Sequence, residues 1–294
     1  MVVCKRTNWN LIVFSLDLDI IKLNQTLNEK FLSSLLLFVA LLNTNKVNAQ
    51  QLNVKLYVAS DNSGNGPSSM LIEDTIIPEV TDMYSDQGID LNLCPVYVTN
   101  QSWISNPRNF KFDDCVEDLG YLGLLVINDQ GSGAGAVCQN SNNGNTSNRG
   151  WAIAGTYTVA HELAHMLSLQ HTFFKSNCVG DLGDKIADTH FVPADPDNSS
   201  HDDFAFSINP QNWNGCTINW TLIQDACGNS FSYNATQDEE IRTNVMGEFT
   251  DVPTGIGCNW DYNLTSGQAD AMNSAINSHL QQYTSTSGDC TSLS

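Results

Sequence analysis

The sequence predicts an α/β (α+β) fold in two parts: a twisted mixed sheet with one long helix beside it, then an irregular, cystine-linked half closed by a C-terminal helix. Three observations carry this expectation. Strand-like apolar runs and helical spacings alternate up to about residue 171. Residues 172–260 then show few periodic stretches, many Asp, Asn and Gly, and four cysteines. Thr265–Tyr283 finally restores helical spacing behind a Thr start.

Taken in order, the chain opens on a segment set apart from the fold. Phe31–Leu42 is a twelve-residue apolar run behind Lys30, and Val47-Asn48-Ala49 offers a signal-peptidase site before Gln50. Such a run is too short to anchor stably across a bilayer. Residues 1–49 are therefore expected to be a signal peptide or leader. Residues 50–294 are expected to be a single domain, with an upper part at 50–171 and a lower part at 172–294. The mature chain would be secreted, with no membrane insertion once the leader is removed.

Leu52–Ala59 alternates as a half-buried strand does, and residues 61–68 are rich in turn formers. Met70–Met83 has helical spacing, with Pro78 as a kink or break. Ile89–Val98 and Tyr121–Ile127 read as strands, the second almost wholly apolar and hence central. Gly131–Val137 is small and Gly-rich, as an edge strand approached by another backbone would be. Trp151–Ala154 is a last short strand, leading into a helix from Thr156 to Leu167.

Charge and cysteine usage narrow the function classes. The 294 residues carry 12 Lys and Arg against 32 Asp and Glu, a net charge of −20, which argues against a nucleic-acid partner. Of nine cysteines, eight remain after the leader, an even number that in an exported chain implies disulfides. No CxxC pair occurs, so a zinc ribbon or thioredoxin-like site is disfavoured.

The chemistry sits on the last helix of the upper part. His161-Glu162-Leu163-Ala164-His165 is HExxH, which on a helix turns both imidazoles to one face and sets Glu162 beside them. His171 follows six residues later, giving H-E-x-x-H-x-x-S-x-x-H, the metzincin spacing. Three His ligands leave a fourth position open for water, the arrangement of a catalytic zinc. Glu162 would then be the general base. Met246, in Asn244-Val245-Met246-Gly247, suits the methionine turn expected beneath the metal.

These residues resemble the pappalysin-like metzincins. His161–Phe173 reads HELAHMLSLQHTF, followed by Cys178, Gly183-Asp184-Lys185-Ile186-Ala187-Asp188-Thr189, Asn244-Val245-Met246 and Thr265-Ser266-Gly267-Gln268. The resemblance implies an extracellular zinc endopeptidase acting on proteins or peptides, often with structural calcium. Asp181, Asp184, Asp188 and Thr189 supply hard oxygen ligands; by residue type alone a calcium site and a solvated acidic loop stand even, and the resemblance favours calcium. It also implies that Asp251, five residues past the Met, sits at the base of the pocket for the residue after the cut. That would favour Arg, then Lys; the alternative is an exposed loop acid. Family order further implies bridges Cys178–Cys227 and Cys216–Cys258.

Three departures from the pattern stand out. Ser168 replaces the usual Gly at the helix exit, and Glu248 replaces a Tyr two residues past the Met. About 110 residues separate Gln50 from His161, too few for a long inhibitory propeptide as well as the upper part. The rival expectation is a non-catalytic secreted binding or adhesion module that keeps zinc for stability. Glu162 argues against it, because a purely structural site has no use for that base.

Overall fold

The computed structural model describes residues 51–112, 121–128, 135–137, 148–174, 186–190, 192–193, 213–224, 229–247, 261–285 and 290. The expected leader and residues 131–134 lie outside them. Gln50–Ser294 forms one compact unit.

Strand β1 (Gln51–Ser60) is the organising element. Behind it, α1 (Ser69–Leu71) runs through a wide π turn (Ile72–Ile76) into α2 (Ile77–Ser85). The sequence predicts a kink or break at Pro78; the helix widens into a π turn just before it and runs on to Ser85. Pro78 has no N–H to donate, and the Ile77 N–H reaches back five residues to the Ile72 carbonyl. Next come β2 (Leu91–Thr99), two short helices α3 (Gln101–Ser105) and α4 (Arg108–Phe112), then β3 (Leu122–Ile127). Strands β4 (Gly135–Val137) and β5 (Arg149–Ile153) complete the upper part before α5 (Thr156–Met166).

The sheet is mixed. β1 pairs parallel with β2 and with β3, β3 pairs parallel with β5, and β4 lies antiparallel on β5. β3 is buried throughout because both faces are covered. Leu122, Leu124 and Val126 face a core shared with Ile76, Val80 and Tyr84 of the first helical stretch and Val159 and Leu163 of α5. Leu125 and Ile127 face the other way, onto Ile104 of α3 and Phe110 of α4. The helix bearing the HExxH motif is thus held against the centre of the sheet, next to β4 and β5.

The described pieces of the later half are short: β6 (Phe173–Phe174) with β7 (Val192–Pro193), and β8 (Trp213–Asn214) with β9 (Thr217–Ile218). A helix absent from the sequence expectation, α6 (Ala235–Thr243), begins in a capping box between Asn234 and Gln237. Its buried Asp238 accepts from the Ile218 amide, the Trp220 indole and Arg242 Nε, at 3.1, 2.8 and 2.8 Å, so one carboxylate joins α6 to β9. The closing helix α7 (Ser266–His279) starts in a second capping box, Thr265 with Gln268. The chain end then returns to the upper sheet: β10 (Thr284–Ser285) lies antiparallel on the first residues of β1, and Cys290 is bonded to Cys94 of β2.

Candidate metal centre

Helix α5 is fixed at both ends and in the middle. Thr158 Oγ1 donates to the Ile153 carbonyl at 2.6 Å, tying the first turn to β5. The buried Tyr84 hydroxyl donates to the Ala160 carbonyl at 2.8 Å. At the exit, Ser168 has φ of 78°, the left-handed conformation, at the position where the resemblance to the pappalysin-like family implies a Gly. That single residue reverses the chain: the Leu169 amide bonds back to the Ala164 carbonyl, and His171 returns towards the helix.

The three predicted His side chains meet. Their Nε2 atoms lie 3.1 Å (His161 to His165), 3.1 Å (His161 to His171) and 2.9 Å (His165 to His171) apart. Among the described residues they form the group able to hold a metal. The outer nitrogens are already committed: His161 Nδ1 bonds to the Val245 carbonyl at 2.7 Å and His165 Nδ1 to the Leu169 carbonyl at 2.8 Å. A carbonyl only accepts, so each Nδ1 carries the proton and each Nε2 of the neutral ring presents a lone pair. Burial, with the neighbouring His165, pushes His161 down to about 3, and burial lowers His165 as well, so both rings are neutral near pH 7. Converging lone pairs repel unless a cation lies between them. The spacing approaches the edge of about 3.3 Å that a tetrahedral ion with Zn–N bonds near 2.0–2.1 Å requires, so the residues fit zinc.

The turn Asn244–Gly247 closes with the Gly247 amide on the Asn244 carbonyl, and Met246 is fully buried. Its carbonyl accepts from the Thr172 amide at 3.1 Å, while the Val245 carbonyl holds His161, so the turn touches His161 directly and His171 through the next residue. Beneath it, Asn244 and Gln268 exchange amide hydrogen bonds at 2.9 and 3.2 Å, and Asn244 Oδ1 also accepts from the Met246 amide at 2.9 Å. Both side chains are buried, which couples the start of α7 to the turn. The sequence shows both residues but nothing of their pairing, since 24 positions separate them.

Glu162 is 4% exposed and lies under the edge strand. A Cβ built on Gly135 would come within 2.6 Å of the Glu162 Cγ and Cδ atoms, so the absent side chain on β4 makes room for the carboxylate. A Gly-rich strand signals close approach without saying to what.

The predicted calcium ligands are not assembled among the described residues. Asp188 accepts from the Gly267 amide (2.7 Å), Thr265 Oγ1 (2.9 Å) and Ser266 Oγ (3.1 Å), so it caps the start of α7. Desolvation opposes its charged form, but these donors outweigh it and its pKa is lowered. Thr189 is half-buried beside it, while Asp181, Asp184, Asp251 and Glu248 lie outside the described residues. So do Cys178, Cys227 and Cys258; Cys216 is disulfide-bonded.

Residues 123–246 match the peptidase M43 family, described as pregnancy-associated plasma protein-A. The match runs from β3 to Met246 and contains the whole His motif. No curated protein matches the chain. Among solved structures, mature mirolysin of Tannerella forsythia in complex with a cleaved peptide is 16% identical, covering 79% of this chain and 94% of that one, with a TM-score of 0.48. A promirolysin mutant of the same organism is also 16% identical, with 79% and 83% covered and a TM-score of 0.46. Metalloproteinase-II of Bacteroides fragilis is 16% identical over 44% of this chain and 45% of that one, with a TM-score of 0.29.

Proposed function

We propose, from the match of residues 123–246 to the peptidase M43 family, that the chain is a secreted zinc-dependent endopeptidase whose general base is Glu162. The observation that carries the reading is the convergence of the Nε2 atoms of His161, His165 and His171, with a buried carboxylate one residue from the first. Zinc, when bound, supplies Lewis acidity and lowers the pKa of a water towards neutrality. Glu162 takes the proton from that water and delivers it to the leaving amine. Its neighbours exclude bulk water, and Gly135 keeps the strand backbone close to it. A peptide lies extended along β4, where main-chain hydrogen bonds continue the sheet.

Two finer points belong to the same proposal. The resemblance assigns Asp251 to the pocket for the residue after the cut, a role that would favour Arg over Lys, because a guanidinium meets a carboxylate with two parallel hydrogen bonds. The resemblance also implies calcium at Asp181, Asp184, Asp188 and Thr189, and of these Asp188 accepts hydrogen bonds from the start of α7. Export rests on the apolar run at 31–42 and on the Cys94–Cys290 bond; among the described residues no helix is long and apolar enough to cross a membrane.

The test is hydrolysis of a denatured protein by the purified chain, before and after a zinc chelator and again after zinc is restored. Activity lost and regained in step with zinc supports the proposal. Equal activity in all three samples refutes it, and zinc uptake without hydrolysis favours the binding-module reading. Cleavage sites in a peptide library decide the Asp251 point: enrichment of basic residues after the cut must disappear in Asp251→Ala.

A further inference from the structure

The missing Tyr two residues past Met246 directs attention to the phenols that do reach the centre. Tyr157 lies one turn before His161 on α5, and its hydroxyl does two things. It donates to the Gly247 carbonyl, the last of the methionine turn. Its oxygen also faces His161 Nδ1 at 3.4 Å, beside the Val245 carbonyl that takes the main hydrogen bond at 2.7 Å. The Tyr157 ring packs against Tyr262 with centroids 4.7 Å apart, and Tyr262 adjoins Asn263, whose backbone pairs with Thr243 and Val245. The phenol therefore links α5 to Gly247 of the turn and to Tyr262 beside it.

This position rules out a direct part in the reaction. Nδ1 is the nitrogen that points away from the metal, so a group on that side does not reach the reacting carbonyl. What it can do is fix the ligand. A second acceptor beside Nδ1–H restrains ring rotation and increases the donor strength of Nε2, and the bond to Gly247 keeps Val245 in register with the ring.

We propose that Tyr157 is a positioning residue that clamps the methionine turn to the ligand helix and sets the affinity of His161 for the metal. The proposal rests on the zinc reading of the His triad. HExxH-type motifs say nothing about the residue four positions before the first His, so this role is visible only in the folded chain.

Tyr157→Phe tests it, because Phe keeps the ring against Tyr262 and removes only the hydroxyl. Zinc affinity is measured by competition with a chromophoric chelator, the visible spectrum of the cobalt-substituted protein is recorded, and the melting temperature is taken without metal. The expected result is zinc binding weakened on the order of 10- to 100-fold, with a shifted cobalt spectrum and a metal-free melting temperature close to wild type. Wild-type affinity and spectrum in Tyr157→Phe overturn the proposal. So does a Tyr157→Leu variant that weakens zinc when Tyr157→Phe does not, since that is ring packing alone. A metal-free melting temperature that falls in proportion to the affinity also overturns it, as a general loss of fold. Wild-type protein that takes up no zinc refutes the zinc reading itself, a failure distinct from any of these.

Discussion

Gly135→Ala is the smallest change that moves Glu162, the proposed base, without touching the His triad. The new methyl carbon would stand 2.6 Å from Glu162 Cδ and from Cγ, whereas ordinary contact begins at 3.4 Å, so about 0.8 Å must be recovered. Glu162 is 4% exposed and has little room to swing. β4 is a three-residue edge strand and can yield part of the distance, which sets the size of the effect. A displacement approaching 1 Å at a catalytic group costs up to about 100-fold in rate. Gly135→Ala should therefore lower kcat 10- to 100-fold against a fluorogenic peptide, while zinc content and melting temperature stay near wild type. Unchanged kcat with an intact fold would refute the reasoning that β4 sets the position of Glu162.

Two further outcomes follow from the same geometry. Ser168→Gly should raise stability by about 1 kcal/mol, because a left-handed φ of 78° strains a residue with a Cβ; a urea midpoint no higher than wild type contradicts this. In acid, the metal-free protein should weaken through His161. Its folded pKa of about 3 lies far below the ordinary 6.5, so the unfolded chain takes up a proton that the fold refuses. Stability is then fullest above about pH 6.5 and falls towards pH 3, by roughly 1.4 kcal/mol per pH unit from this ring. Urea midpoints between pH 7 and 4 measure it, and His161→Gln should have the shallower slope; equal slopes would remove His161 as the cause.

Much of the fold and the His triad were legible because their signals are local. The alternation in β1, the apolar run of β3 and the His spacing on α5 each span one element, and each appears where the sequence places it. Ser168 was legible as a departure, and its φ shows why a Gly is usual there. What the sequence hid depends on pairings across the chain. Gly135 matters only because the β4–β5 register lays it over Glu162, and Tyr157 only because the turn ending at Gly247 closes on α5. Helix α6 is too polar to show an apolar face, yet Asp238 draws its buried side onto β9. Strand β10 has two residues, too few for any period.

The central claim is that Glu162 moves the proton in a zinc-dependent peptide hydrolysis. Glu162→Gln keeps the size and shape of the side chain and removes only its basicity. With zinc content matched by metal analysis, kcat/KM of this variant and of wild type on one fluorogenic peptide is the direct measurement. The account predicts a loss of several orders of magnitude, with the His triad still holding its metal. Comparable kcat/KM in the two proteins would contradict it.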